Sequence, residues 1–365
     1  MSGCTRCLLP GAVPGADLSS EGVCSHCRGL HDGRGTGEER MRLEREADLE
    51  ASLEACRGQG LYDCLVGLSG GKDSCYLLHK LVVEKRLKVL AFTVGGKVPD
   101  LAWENIRRTV RKLDVDHLVY TPPQDFSLRL FRHLLRNQEA RGAVRTVCYV
   151  CAPLTEGYAL QVATEKGIPL VLAGYSPGQP DPARMLYEFP RRMIEEADWI
   201  PPALRDCGAF GADDLARFWN PRRYPAGTRF PRFLAPFHAW EYNQEEVMKA
   251  VVKLGLIRSR RRASPVHTNC EMNWLLMYSD LVNLGYNPYA PEFARLIREG
   301  RASRRYWAVM QPLVNWMIRR RVLLGRNVTR QLTRLGLELE ELRIAARPAA
   351  PGKAAPSSET AQAAC

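Results

Sequence analysis

Between Leu61 and Ala173 the chain alternates short apolar runs with longer segments of helical period. Cys64–Leu68, Lys88–Val94, His117–Thr121 and Pro169–Ala173 read as strands, and Trp103–Leu113, Phe126–Arg136 and Glu156–Lys166 as helices. Strands separated by helices predict an α/β fold with a doubly wound parallel sheet. Ligands of such sheets sit at the carboxyl ends of the strands, where Ser69 to Ser74 and Gly174-Tyr175-Ser176 both fall.

The flanks have a different pattern. Residues 1–34 are rich in Cys, Gly, Pro and Ser, have little periodicity and need a staple to fold. Residues 35–60 are charged and helix-prone and read as a linker. The strand–helix alternation runs over 61–255, interrupted by a Pro- and Arg-rich insertion at 177–232 that is placed to act as a lid. A basic helical region follows over 256–342. Residues 343–365, rich in Ala, Pro and Ser, read as a disordered tail.

The stretch Leu65-Val66-Gly67-Leu68-Ser69-Gly70-Gly71-Lys72-Asp73-Ser74 predicts a buried strand, a tight turn and a helix N-terminus. Freed backbone N–H groups and the positive end of the helix dipole make such a turn an anion site. Ser69 and Ser74 add hydroxyl donors, and Asp73 is suited to hold Mg2+ or a water. The G-x-x-x-x-G-K-[ST] spacing of a Walker loop is absent. A plain glycine turn without a ligand is the competing reading.

Twelve cysteines change the picture further. Cys4-x-x-Cys7 and Cys24-x-x-Cys27 stand 16 residues apart, the spacing of a zinc ribbon with a closed, structural Zn2+. Cys148-x-x-Cys151 is expected in a loop entering a helix, and Cys270 follows far downstream in His267-Thr268-Asn269-Cys270. This trio is open to three uses: an iron–sulfur cluster, zinc with His267 as fourth ligand, or thiol chemistry such as a persulfide carrier. Core packing is the alternative for Cys270. It is also the expected fate of Cys56, Cys64 and Cys75.

The 365 residues carry a net charge of +12, which permits an acidic partner without demanding one. From Arg301 to Leu335 there are nine arginines and no acidic residue, with Tyr306, Trp307 and Trp316 among them. That stretch and Arg258, Arg260, Arg261 and Arg262 suit a phosphate backbone, although aromatics at such spacing more often fill a helix core. No apolar run has the length of a membrane span and no signal-peptide core opens the chain, so a cytoplasmic protein without membrane insertion is expected.

Ser69-Gly70-Gly71-Lys72-Asp73-Ser74 resembles the S-G-G-x-D-S loop of the PP-loop ATP pyrophosphatases. The resemblance implies ATP with its pyrophosphate in this loop, Lys72 and Asp73 at the chemistry, and Phe92 and Gly174 beside the nucleotide. Leu234 through Glu246 resembles the P-[LF]-x-x-x-x-E segment that leads into a helix in that family, with Asn243 as N-cap, Glu246 three residues on, and His238 and Glu241 as candidates for a catalytic role. In the family's iron–sulfur sulfurtransferases a C-x-x-C pair and a later cysteine hold a [4Fe-4S] cluster, and Cys148, Cys151 and Cys270 match that order.

The layout of the first 175 residues also resembles the N-acetyl sugar amidotransferases of surface-polysaccharide biosynthesis. The likeness runs through Cys4 to Pro10, Gly22 to Cys27, Tyr62-Asp63-Cys64, Glu104-Asn105-Ile106, Val115-Asp116-His117 and Cys148-x-x-Cys151. It implies adenylation of a small-molecule acceptor followed by amidation with ammonia from a glutaminase partner. Residues 177–232 and the helices after Tyr286 depart from that family. Two further readings stay open: a sulfurtransferase of tRNA or a small molecule served by a sulfur-donor protein, and a non-catalytic zinc-ribbon adaptor on nucleic acid. A homodimer is compatible with all three.

Overall fold

The computed structural model describes residues 3–29, 35–177, 187–267 and 269–344. Its centre is one sheet of five parallel strands: β1 (Cys64–Gly67), β2 (Val89–Val94), β3 (His117–Tyr120), β4 (Leu170–Ala173) and β5 (Arg232–Leu234), in the order β3-β2-β1-β4-β5. Strand side chains point alternately to opposite faces, so a sheet covered on both sides needs apolar residues at every position. In β1, Leu65 enters one core while Cys64 and Val66 enter the other, and Leu90 and Phe92 of β2 are parted from Val89 and Ala91 in the same way. Helices Gln124–Arg136, Ala143–Glu165, Asn273–Asn283 and Arg326–Leu335 cover the first face. Lys72–His79, Asp100–Leu113 and Gln244–Lys253 cover the second.

The chain winds outward from β1 in both directions, so the order reverses between β1 and β4. The crevice at the carboxyl ends of these two strands is where such sheets take ligands.

β5 is a strand the periodicity does not reveal. It is three residues long and pairs with β4 at the sheet edge. Gly35–Ala55, in the segment expected to be a helical linker, forms a helix that packs on the sheet. Leu49 and Leu53 are buried against the sheet, and Arg232, the first residue of β5, bonds to Asp48, Ser52 and Glu188. The described part of the insertion, 187–232, fills the other core with Phe189, Trp199, Phe218 and Trp219. Residues 178–186 of the insertion, and 345–365 of the predicted tail, lie outside the described residues.

The Cys148–Cys151 pair lies on a helix, not in the loop expected for it. Ala143–Glu165 begins well before the predicted start and runs through Pro153. Its first turn is capped from afar. The Asp280 carboxylate, on helix Asn273–Asn283, accepts from the N–H groups of Ala143 and Val144. Burial pushes the Asp280 carboxyl up to about 7, against the pull of those two bonds. A carboxyl raised in the fold favours folding when protonated, and that contribution fades as pH climbs through its folded value. Stability is therefore expected to fall by on the order of a few kcal/mol between pH 4 and 8 on this account. Asp280→Asn should flatten the fall in denaturant titrations; an unchanged slope would refute the assignment.

Candidate active site

The loop after β1 is held by its own side chains and by three distant residues. Gly70 has φ +78°, and a Cβ there would strike the carbonyl of Ala102, so only glycine fits. Ser74 Oγ receives the Ser69 N–H at 3.2 Å and lies 3.1 Å from Ser69 Oγ. Asn105 Nδ2 donates to the Gly70 carbonyl at 3.0 Å, and Asn269 Nδ2 donates to Ser69 Oγ at 3.1 Å. From β4, Gly174 packs so closely that a Cβ would lie 2.9 Å from the Ser74 nitrogen. Lys72 opens the following helix, whose N-terminus faces the turn.

Lys72 is buried. Its Nζ bonds to Asp73 Oδ2 at 2.5 Å and to Tyr242 Oη at 3.2 Å, while Tyr242 donates to Asp73 Oδ1 at 2.9 Å. Burial opposes the lysine's charge, but Asp73 and Tyr242 more than offset it and raise its pKa. Tyr242 itself is held protonated by burial and by Asp73. Sequence reasoning marked the segment Leu234 to Glu246 but did not single out Tyr242 as a partner of the loop. The predicted cap beside it is present: Asn243 Oδ1 accepts from Glu245 and Glu246.

Two cavities open on either side of the loop. One, of about 370 Å³, lies at the strand ends and is lined by Ser69, Asp73, Ser74, Phe92, Gly174 and Cys151 among others. The second, of about 290 Å³, runs from Lys72 and Asp73 toward the C-terminal helices and includes Cys148 and Glu292. Gly71, Asp73, Asn269 and Cys270 border both. No described residue of 187–232 lines either cavity, so that part of the insertion is core filling and not a cover.

Cys148, Cys151 and Cys270 share one neighbourhood, centred on Lys97. This residue, which sequence reasoning did not single out, follows Gly95-Gly96 at the end of β2. Its Nζ lies 3.1 Å from Cys151 Sγ. Burial works against its charge, and Cys151, Cys270 and Cys148 together raise its pKa above the ordinary lysine value. Burial pushes the thiols of Cys148 and Cys270 up. A tetrahedral ion with metal–sulfur bonds of about 2.3 Å needs its thiolates roughly 4 Å apart. Among the described residues only the N-terminal cysteines meet a spacing of that kind. The trio with His267 does not, and the charges acting on His267 are those of Arg261 and Arg262.

Cys4, Cys7, Cys24 and Cys27 are buried, and their four Sγ atoms lie within 4.8 Å of one another. Cys4 and Cys27 are 3.7 Å apart, and Cys7 and Cys24 3.6 Å. These distances match the edges of a thiolate tetrahedron around one divalent ion. Arg298 Nη1 donates to Cys7 Sγ at 3.4 Å, and Ala294 and Ile297 pack into the cysteine module. The module is thus docked on helix Ala290–Arg298, the helix that carries Glu292.

The basic C-terminal stretch divides. Trp307 is buried and stacks on Phe293 with ring centroids 3.6 Å apart, so it is core and no platform for a base. Trp316 is exposed on the same helix, Arg304–Arg320. No helix among the described residues is long and apolar enough to cross a membrane.

No protein-family model matches the chain, and no curated protein does. Solved structures with a similar course include the U34-tRNA thiolase NcsA from Methanococcus maripaludis with its [4Fe-4S] cluster. It is 13% identical over 93% of this chain and 90% of its own, with a TM-score of 0.33. NMN synthetase from Francisella tularensis is 10% identical over 86% of this chain and 98% of its own, with a TM-score of 0.35. The NH3-dependent NAD synthetase from Campylobacter jejuni, in complex with the nitrate ion, is 14% identical over 72% of this chain and 94% of its own, with a TM-score of 0.35.

Proposed function

We propose that this chain is an ATP-dependent transferase that adenylates a carbonyl oxygen of a small acceptor and then replaces that oxygen with sulfur. The acceptor oxygen attacks the α-phosphorus, the bond to the β-bridging oxygen breaks, and pyrophosphate leaves. A carbonyl oxygen is a poor leaving group and its AMP ester a far better one, so the activated carbon accepts an incoming nucleophile. Ser69, Gly70, Gly71, Lys72 and Ser74 would bind the departing pyrophosphate, stabilising charge as it develops. Asp73 would hold Mg2+ once it exchanges its bonds to Lys72 and Tyr242 for the metal. Phe92 and Gly174 would border the nucleotide.

The observation that carries the reading is the shared border of the two cavities. Cys270 stands there beside Gly71 and Asp73, with Cys148 on one side and Cys151 on the other. Those three thiols would hold a [4Fe-4S] cluster, which when bound supplies an open iron for sulfur. Lys97 would then keep a positive charge against the electron-rich sulfur. Zn2+ belongs at Cys4, Cys7, Cys24 and Cys27, where four ligands leave no open position. A sulfur-donor protein completes the reaction, and the cytoplasm is the fitting compartment for free thiols.

A second reading, nitrogen transfer to a sugar acetamide with a glutaminase partner, is favoured by the likeness of the first 175 residues to the amidotransferases. Metal and acid-labile sulfide analysis of anaerobically purified protein decides between them. One zinc with about four iron and four sulfide per chain is expected for sulfur transfer. Zinc without iron would overturn it in favour of nitrogen.

A further inference from the structure

The cavity between the loop and the C-terminal helices has one feature that the adenylation chemistry described above does not use. Glu292, on the first turns of helix Ala290–Arg298, lines it and is only 9% exposed, yet its carboxyl has no hydrogen bond or ion pair among the described residues. A buried carboxyl without partners is costly, and folds keep such groups where a ligand supplies the missing bonds. Several neighbouring polar groups are engaged. Asn287 donates to Asn315 and accepts from the Tyr289 N–H, Gln244 accepts from Trp307, and Arg262 pairs with Glu104. Of the polar side chains lining this cavity that have no partner among the described residues, Glu292 is the buried one, whereas Gln311 is half-buried. It is close enough to the loop for the charges of Lys72 and Asp73 to act on it, after burial has raised its carboxyl to about 8.

The size of the cavity limits what enters. About 290 Å³ with Trp274, Phe293 and Trp307 in the wall suits a compact molecule with one flat apolar side. An anionic acceptor would have to give up its water for this largely apolar wall and is disfavoured. We propose that this cavity is the acceptor site and that it takes a small uncharged amide or lactam, whose N–H donates to Glu292 while its carbonyl oxygen faces the loop. The proposal rests on the adenylation reading for the direction of the carbonyl.

The pairing has a chemical consequence. As the carbonyl oxygen bonds to the α-phosphorus, its carbon–oxygen bond becomes single and a carbon–nitrogen double bond forms. The electron pair of the broken phosphorus–oxygen bond leaves on pyrophosphate. The proton on nitrogen is then acidic, and Glu292, in the fraction of molecules where it is ionised, is the group positioned to take it. An amide whose N–H is held by a carboxylate is also a better oxygen nucleophile before the step.

The test uses two probes of one shape, 2-pyrrolidinone and cyclopentanone, which differ by the N–H. Binding is read from tryptophan fluorescence of the full-length protein. The wild type should prefer the lactam by about tenfold, the effect of one buried hydrogen bond. Glu292→Leu, which removes both oxygens, should abolish the preference, and Glu292→Gln, which keeps an acceptor, should retain most of it. Equal binding of both probes by the wild type, an undiminished preference in Glu292→Leu, or no saturable binding of either probe would each overturn the proposal. Binding of a non-hydrolysable ATP analogue, measured on the same samples, keeps this outcome separate. Its loss in the wild type would count against the adenylation reading and leave the probe comparison standing.

Discussion

Asp73→Asn is expected to lower pyrophosphate release at least about a thousandfold, with water standing in for the acceptor at the α-phosphorus. Asparagine preserves the shape of the side chain and can still accept from Tyr242, but it loses the charge that pairs with Lys72 and would hold the metal. Both Asp73→Asn and Asp73→Ala leave the buried Lys72 ammonium without its carboxylate, and removing one partner of a buried pair costs about 3–5 kcal/mol. The melting temperature should therefore drop in both, further in Asp73→Ala, which also gives up the acceptor for Tyr242, while both lose activity. Pyrophosphate release within tenfold of wild type in Asp73→Asn would remove the loop from the chemistry and leave it a structural turn.

Four of the five strands and the loop were legible because each is governed by local sequence. β1, β2 and β4 are buried on both faces and read as unbroken apolar runs, and the loop's glycines answer to contacts that any side chain would violate. Four cysteines at ribbon spacing were legible for the same reason. What could not be read is long-range. Helix Ala143–Glu165 starts where it does because Asp280, far along the chain, caps it, and nothing near Ala143 announces that. Lys97 looks like an ordinary loop lysine until helix Ala143–Glu165 and the segment ending at Cys270 bring three thiols around it.

Tyr242 and Glu292 share that difficulty. A tyrosine after an apolar turn and a glutamate near a helix start have structural explanations that suffice locally. Only the tertiary fold puts one on Asp73 and the other, unpartnered, in a cavity. Asn269 had the best signal of the missed residues, since it adjoins Cys270 in a segment already marked for its cysteine. The common physical point is that hydrogen-bond partners distant in sequence leave no periodic trace, whereas burial does.

Cys24→Ser is expected to cost the chain its N-terminal metal and, with it, the order of residues 3–29 and of helix Ala290–Arg298. Burial raises the thiols of Cys7 and Cys27, so four thiolates in this space need a cation to hold them. In modules this small metal binding supplies folding free energy of about 10–16 kcal/mol at neutral pH, more than the few apolar side chains here can replace. The loss should not stop at the module. Ala294 and Ile297 pack into it, Arg298 reaches Cys7, and Arg304 donates to the carbonyls of Thr5 and Arg6. The sheet and the loop after β1 have no residue in that core, so the ATP-analogue affinity should stay within a few-fold of wild type. Hydrogen exchange should show protection lost over 3–29 and 290–298 and kept over 64–79, and metal analysis should show one zinc fewer. Unchanged zinc with unchanged protection would refute the metal site. Zinc lost while 290–298 stays protected would confine the module's role to its own folding.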